Sequence, residues 1–279
     1  MTLKSFRMLR IEDLSEDNLD DIFTICSCNR AFAPNDDPVL EKGREIKRRW
    51  LLDMLERHGP CTKIAYINEK PVAQILYYPE ETIPFNHDPR KDVLHLQCIF
   101  NPFPEAQREG VGNALIKELL EECKSGLKCM GGRPCSFVVT NIFPHEGQLP
   151  LDAFYRKYGF KQGNQEMYLE IAGEYVPRKI LETRRLPEDL GKALNFYNPP
   201  CEWGYFYAVK VKELLKEIRQ DLPVEIINLW ERPEEYIKRS HKQQVAARTI
   251  INTQEPNPFV FWVDREAFRR NAEEALEMK

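Results

Sequence analysis

The order of periodic segments predicts a mixed α/β layer fold followed by a second, smaller α/β unit. Three observations carry this expectation. Short apolar runs of strand length recur between stretches whose apolar residues fall at helical spacing. That pattern stops in a charged stretch containing two prolines, Pro177 to Leu190, and then starts again. The chain has 279 residues, against about 150 for a typical domain.

In order, Phe6 to Ile11 reads as a strand, Ser15 as a helix cap, and the following residues as a helix to Cys28. A Pro/Asn/Asp loop, Ala33 to Pro38, precedes a helix over Val39 to Arg57. Its apolar face carries Ile46, Trp50, Leu51 and Met54. His58-Gly59-Pro60 breaks it. Lys63 to Ile67 and Pro71 to Tyr78 are strands joined by the tight turn Asn68-Glu69-Lys70. Asp92 to Phe100 is mostly apolar and too short for a helix, hence a buried strand. A Pro-rich turn leads to a helix over Gly110 to Cys123, then a buried strand over Pro134 to Thr140. A short helix, Leu149 to Tyr158, is stopped by Gly159, and Glu166 to Ile171 is a further strand.

After the hinge stretch the expected order is strand Lys192 to Tyr197, turn Asn198-Pro199-Pro200, helix Glu202 to Gln220, strand Val224 to Leu229, helix Pro233 to Ala247, strand Phe259 to Val263 and a charged terminal helix. Lys210 to Arg219 reads as the solvated face of an amphipathic helix. The implied domains are 1–176, a linker 177–190, and 191–279. No internal repeat or low-complexity tract interrupts them.

Hydrophobic residues make up 42% and charged residues 30% of the chain, an ordinary globular composition that excludes a disordered tail. Lys plus Arg number 40 against 44 Asp plus Glu, a net charge of -4. From Gly191 onward the charges balance at 14 basic and 14 acidic. Neither part has the positive surplus that phosphate backbones require, so nucleic acid is not an expected partner. No apolar run approaches the roughly 18 residues of a membrane span. Met1 to Asp20 mixes charges throughout and offers no secretion signal. A cytoplasmic location is therefore expected, with the 8 cysteines as thiols. They form no C-x-x-C pair, and the five histidines are not spaced as zinc partners, so no metal is expected. Cys26 and Cys28 read as helix residues.

The informative segment is Gln107-Arg108-Glu109-Gly110-Val111-Gly112, between a strand and a helix. Glycines let the backbone turn tightly and approach a bound group. The helix that follows begins with unpaired N–H groups and a positive dipole end, which suit a phosphate or pyrophosphate. Asn113 adds a capping or donor side chain. Two glycines in an ordinary strand-to-helix turn would give the same short pattern.

The wider arrangement resembles the Gln/Arg-x-x-Gly-x-Gly/Ala signature of the GCN5-related N-acetyltransferases (the GNAT superfamily). Pro104 matches the proline usual in that loop. Phe137-Val138-Val139-Thr140-Asn141, followed by Leu151-Asp152-Ala153-Phe154-Tyr155-Arg156-Lys157-Tyr158-Gly159-Phe160, resembles the family's "Asn … Ala-x-x-Phe-Tyr-x-x-x-Gly-Phe". The resemblance spans Leu3 to Gly173. It implies a mixed, mostly antiparallel sheet whose central strands, carrying Ile99 and Val138, splay apart around the pantetheine arm of acetyl-CoA. Backbone groups near Ile99 and Phe100 would pair with that arm like an added strand. Gln107, Arg108, Gly110, Val111, Gly112 and Asn113 would hold the pyrophosphate, and Asn141 would contribute to the cofactor site. Tyr155 matches the tyrosine that protonates the departing CoA thiolate; a tyrosine that only packs against CoA is the alternative. Charge developing on sulfur is eased by such a donor.

Many members of that family use a carboxylate on the strand before the signature to deprotonate the amine. The corresponding position here is Gln97, which is no base. Substitutes are His95, Glu80, Glu81, His145 and Glu146. His95 is expected to point to the other side of the strand or into the core, and Glu80 and Glu81 to be solvated strand-end charges. Positioning alone supports transfer when the proton has another route. The loops Ala33 to Pro38, Glu80 to Arg90 and Ile142 to Pro150 suit a small cationic amine and a peptide N-terminus equally. The acceptor is thus a small-molecule or peptide amine, and the oligomeric state is not legible.

The C-terminal pattern, with Asn257-Pro258 before Phe259 to Val263, resembles a trimmed thioredoxin-like fold, in which a proline precedes the third strand. Cys201 stands at the helix start, where that fold places its reactive thiol, and a helix N-terminus would lower its pKa. Gly204 replaces the second cysteine, and Trp203, Tyr205, Phe206 and Tyr207 make the surroundings aromatic. The pairing of such a module with an acetyltransferase resembles the YoaP-like acetyltransferases, although Pro199-Pro200-Cys201-Glu202-Trp203 matches their cysteine run imperfectly. The expected function is N-acetyl transfer from acetyl-CoA. A redox protein working through Cys201 and a non-catalytic acyl-CoA sensor are the rivals.

Overall fold

The computed structural model describes residues 8–28, 34, 36–86, 88–141, 150–179, 184–239, 248–256, 261 and 264–277. The chain divides into two units. The first holds residues 1–35, 51–82 and 89–178, and the second holds 36–50, 83–88 and 179–279.

The first unit contains β1 (Leu9–Asp13), α1 (Leu19–Cys26), the second part of α2 (Pro38–His58), β2 (Thr62–Ile67), β3 (Lys70–Pro79), β4 (Val93–Phe100), α3 (Val111–Ser125), β5 (Phe137–Thr140), α4 (Leu151–Arg156), β6 (Lys161–Gln162) and β7 (Met167–Glu170). The strands form one sheet in the order β1-β2-β3-β4-β5-β7-β6. Only β4 and β5 run parallel; the other neighbours are antiparallel. The sheet is therefore mixed and mostly antiparallel.

Local chemistry explains the elements. Asp37 starts α2 by accepting the N–H groups of Val39 at 2.8 Å and Leu40 at 3.2 Å. Asn68 and Glu69 both take positive φ, 48° and 63°, which matches the right-handed twist of the β2–β3 hairpin. α3 buries Leu115, Ile116 and Leu119, and burial of such side chains contributes about 1.5–3 kcal/mol each. Lys63 on β2 ties α3 to the sheet, donating to Glu122 at 2.7 Å and to Asp13 at 2.7 Å. Burial weakens its charge, but those carboxylates outweigh it and raise its pKa. The expected cap at Ser15 is displaced. α1 starts at Leu19, and the Asn18 side chain instead accepts the Ser15 N–H at 2.8 Å.

The second unit holds the first part of α2 and β8 (Ala193–Tyr197), α5 (Glu202–Ile218), β9 (Val224–Asn228), α6 (Pro233–Arg239), β10 (Arg248–Ile251) and α7 (Arg265–Glu277). The sheet order is β10-β8-β9, with β8 and β9 parallel and β10 antiparallel to β8. Val211, Leu214 and Leu215 of α5 pack with Phe268, Ala272 and Leu276 of α7 over Ala193 and Ile251. Lys210 and Glu213 pair on the exposed side of α5, as its charge pattern predicts.

The sequence reading missed one strand, β10, at Arg248–Ile251. A four-residue strand following a helical pattern leaves no period of its own to read. The expected strand Phe259 to Val263, Asn257-Pro258 and the second half of the helix over Pro233 to Ala247 lie outside the described residues, apart from Phe261. Among the described residues, no helix is long and apolar enough to cross a membrane.

Candidate active site

The site forms where β4 and β5 part. Among the described residues, their parallel ladder pairs Val93 to Leu96 with Phe137 to Thr140 and goes no further. β4 continues for four residues, Gln97 to Phe100, with β3 as its neighbour. The register on β3 also shifts at this point. Leu76 faces Cys98 and Tyr77 faces Leu96, so Gln97 is an extra, bulged residue. A bulge bends its strand and raises the local twist. Ile99 and Phe100 lie beyond the end of the parallel ladder, while Val138 lies within it, opposite Leu94.

Below this gap comes the turn into α3. Pro104 opens a single helical turn, Pro104–Ala106. Gln107 Nε2 donates to the Asn101 carbonyl at 3.1 Å, and Asn101 Nδ2 donates to the Ala106 carbonyl at 3.0 Å. Gln107 therefore holds the loop's shape. Arg108 at φ 63° and Gly110 at φ 82° bracket Glu109 in left-handed backbone, an alternation that turns successive N–H groups toward one side. The Gly110 carbonyl accepts the Ala114 N–H at 2.9 Å. The amides of Val111, Gly112 and Asn113 precede the first intrahelical donor. A Cβ built on Gly110 meets nothing within 4 Å, whereas one on Gly112 would lie 3.8 Å from the Phe154 ring and 4.0 Å from Ile99 Cδ1. The cradle is open on the Gly110 side and lined by Ile99 and Phe154 on the other. Asn113 accepts the Tyr158 hydroxyl at 2.5 Å, which docks α4 on the start of α3.

α4 brings Tyr155 to the gap. Its side chain is buried, and its hydroxyl lies beside the Thr140 hydroxyl of β5 and the Cys98 thiol of β4. Burial raises its pKa, so the phenol stays protonated. Asn141 follows directly, half-buried, its carbonyl 3.4 Å from Thr140 Oγ1. Sequence reasoning passed over Phe154, Tyr158, Thr140 and Tyr78 as site residues. The first three lie within the segments that carry the family resemblance; Tyr78 becomes visible only once the strands are aligned.

On one face of the sheet, Tyr78 donates to Gln97 Oε1 at 2.6 Å. His95 stacks against Tyr78 with 5.2 Å between ring centroids. It points into the core, as expected, but on the same face as Gln97 rather than the opposite one. Burial, with Arg178 and Arg90 nearby, lowers its pKa to about 4. Glu80 is a correction. It is fully buried, not a solvated strand end. It accepts from Arg90 Nε at 3.0 Å and from Arg178 at 2.9 Å, and Arg90 also reaches Glu166 at 2.6 Å. Burial pushes the Glu80 carboxyl up, but the two guanidiniums outweigh it and hold it below the usual carboxylate range. Glu81 is exposed, as expected. His145 and Glu146 lie outside the described residues.

In the second unit, Cys201 precedes α5 as predicted. Its pKa is raised by burial, against the expected lowering, because enclosure outweighs Lys47 and the amides of Trp203 and Gly204. Lys47 is engaged by buried Glu202 at 3.4 Å. Among the described residues, no group of three or more His, Cys, Asp and Glu side chains could hold a metal ion.

No known family profile matches the sequence, and no curated protein is significantly similar to it. Solved structures resemble part of the chain. The ribosomal-protein-S18-alanine N-acetyltransferase of Escherichia coli is 17% identical over 60% of this chain and 97% of its own, with a TM-score of 0.40. A GNAT family acetyltransferase from Brucella melitensis in complex with acetyl-CoA is 19% identical over 62% and 93%, with a TM-score of 0.39. The paia N-acetyltransferase of Thermoplasma acidophilum, in complex with coenzyme A, is 16% identical over 59% and 98%, with a TM-score of 0.39. Likenesses of this degree assign neither activity nor ligand to the present chain.

Proposed function

We propose that the chain is an N-acetyltransferase that moves the acetyl group of acetyl-CoA directly to a primary amine of a small molecule or peptide. The observation that carries this reading is the coincidence of two features at one place. Among the described residues, the parallel ladder goes no further than Leu96 and Thr140, and the open glycine turn at Gly110 leads into α3 close to Ile99. The first supplies a strand edge for the amides of a pantetheine arm. The second supplies converging N–H groups and a helix N-terminus for a diphosphate. The sequence resemblance to the GNAT superfamily names the same residues independently.

In this reading Ile99 and Phe100 offer backbone groups to the arm, Arg108 to Asn113 grip the diphosphate, and Asn141 borders the gap. The amine nitrogen attacks the thioester carbonyl, the carbon–sulfur bond breaks, and Tyr155 donates its hydroxyl hydrogen bond to the leaving sulfur. We assign residues 1–176 to the acetyltransferase, 177–190 to a linker and 191–279 to a YoaP-like, thioredoxin-like module. The parallel β8–β9 pair with antiparallel β10 supports that module.

Isothermal titration with acetyl-CoA tests the cradle. Binding is expected, and Gly110→Leu is expected to weaken it at least about tenfold, since the side chain enters the open space at a φ that disfavours it. Absent binding, or undiminished binding in that variant, overturns the reading. Tyr155→Phe should lower kcat by about 10²-fold, the scale of one lost transition-state donor, with little change in CoA affinity. The reverse pattern would make Tyr155 a packing residue only.

A further inference from the structure

Four of the 8 cysteines stand in two pairs where the chain passes from α3 to β5. Cys123 lies in the last turn of α3, and Cys135 precedes β5. Cys129 lies between them in a single helical turn, Lys128–Met130, and Cys61 precedes β2. All four are buried. The Cys123 thiol stands beside that of Cys135, and the Cys61 thiol beside that of Cys129.

The backbone builds both meetings. Leu127 N–H donates to the Arg133 carbonyl at 3.1 Å, and Gly132 N–H to the Leu127 carbonyl at 2.9 Å, which closes a small loop. A Cβ on Gly126 would run into the Gly132 carbonyl, so the two arms of the loop touch. Just outside that base the Cys135 N–H donates to the Cys123 carbonyl at 2.9 Å. Such a contact keeps the two Cα atoms within the roughly 4.4–6.8 Å that a disulfide spans. On the other side, the Cys61 thiol donates to the Gly59 carbonyl at 3.5 Å. A Cβ on Gly59 would lie 3.8 Å from the Lys128 carbonyl carbon, which seats this segment against the turn that carries Cys129.

A thiol that only fills space needs no second thiol against it. Here each thiol has one. Among the described residues no group of three or more His, Cys, Asp and Glu side chains could hold a metal ion, so the arrangement is two dithiols rather than a metal centre. Contact with the partner and burial both hold Cys61 and Cys123 protonated. The attacking species in disulfide chemistry is the thiolate. The folded chain therefore shields both pairs, and reaction belongs to a chain that is still folding or has opened here.

We propose that Cys123 with Cys135, and Cys61 with Cys129, form a modification site: two dithiols that close into disulfides against a low-molecular-mass disulfide of the glutathione class. One thiolate of a pair attacks the oxidant, the oxidant's S–S bond breaks, and a small thiol leaves. The second cysteine gives up its proton and attacks the mixed disulfide, releasing a second small thiol. For each pair, two protein thiols are oxidised and one small disulfide is reduced to two thiols. The first bond ties the end of α3 to the entry of β5. The second ties their connection to the start of β2. Both lie about 18 Å along α3 from Gly110, at a rise of about 1.5 Å per residue, so they staple the fold without touching the glycine turn. The state of the site follows the redox poise around the chain.

The test treats the full chain with oxidised glutathione in urea just below its unfolding midpoint, returns it to buffer, blocks it with N-ethylmaleimide and maps the peptides by mass spectrometry. Links Cys123–Cys135 and Cys61–Cys129 are expected, with the other cysteines blocked as thiols. The urea midpoint of the oxidised chain should rise by about 1 M, the scale set by a disulfide and an ordinary denaturant slope, and fall back on reduction with dithiothreitol. Cys123→Ala should abolish the first link and retain the second. Should that variant fail to fold, the wild-type map decides alone. Persistence of the four as thiols, links to Cys26, Cys28, Cys98 or Cys201, or the expected links with an unmoved midpoint overturns the proposal. No step uses acetyl-CoA, so either outcome leaves the transfer reading untouched.

Discussion

His95 shows how a single side chain is set by its neighbours. Its folded pKa, about 4, lies below the ordinary value of about 6.5. Between those values the unfolded chain binds the proton and the folded one does not, so stability falls as pH drops through that window. His95→Gln should remove this slope. Urea midpoints of the wild type should decline from pH about 6.5 toward about 4.5 more steeply than those of the variant, by an amount equivalent to about 1–3 kcal/mol. Parallel declines would show that His95 does not titrate in this way. Tyr155 is the opposite case, a group whose ionisation is suppressed so that it remains a donor throughout the working range.

At the level of elements, two contacts predict the sign of a substitution against its local rule. Gly43 sits inside α2, where alanine would ordinarily gain about 1 kcal/mol. Yet a Cβ there would run into the backbone carbonyl of Glu202. Overpacking of this kind costs about 1–3 kcal/mol, so Gly43→Ala should lower Tm; an increase would refute the contact. Glu80→Gln leaves buried guanidiniums short of a partner and should cost about 3 kcal/mol or more, read from urea unfolding. The same elements show what the sequence exposes. The glycine turn before α3 and the Asn68-Glu69 hairpin are legible because Gly and Asn meet a backbone need within a few residues. Glu80 is not, because its burial depends on Arg90 and on Arg178, 98 positions away. The bulge at Gln97 is likewise hidden, since an extra residue exists only relative to the register of β3. β10 is too short to show a period, and the Ser15 cap fails because Asn18, three residues on, competes for the same turn.

At the scale of the whole molecule, the two units are not consecutive in the chain. Residues 36–50 belong with 179–279. There Lys47 meets Glu202, and Trp50 stands edge-on to Trp230 at 5.2 Å. A chain ended after Leu190 should therefore leave Leu40, Lys47 and Trp50, all buried in the full chain, without their partners. Size-exclusion chromatography should show it aggregating; a monomer with full affinity for acetyl-CoA would refute this. The ending of the parallel ladder at Leu96, among the described residues, reaches further still. A sheet that stops pairing midway carries an edge in its interior, and main-chain amides there exchange their hydrogens with solvent. Between Gln97 and Phe100 those facing away from β3 should exchange quickly in the free protein and slow markedly once an extended, amide-bearing chain is laid alongside, so that deuterium uptake over this one tetrapeptide would register occupancy before any chemistry takes place.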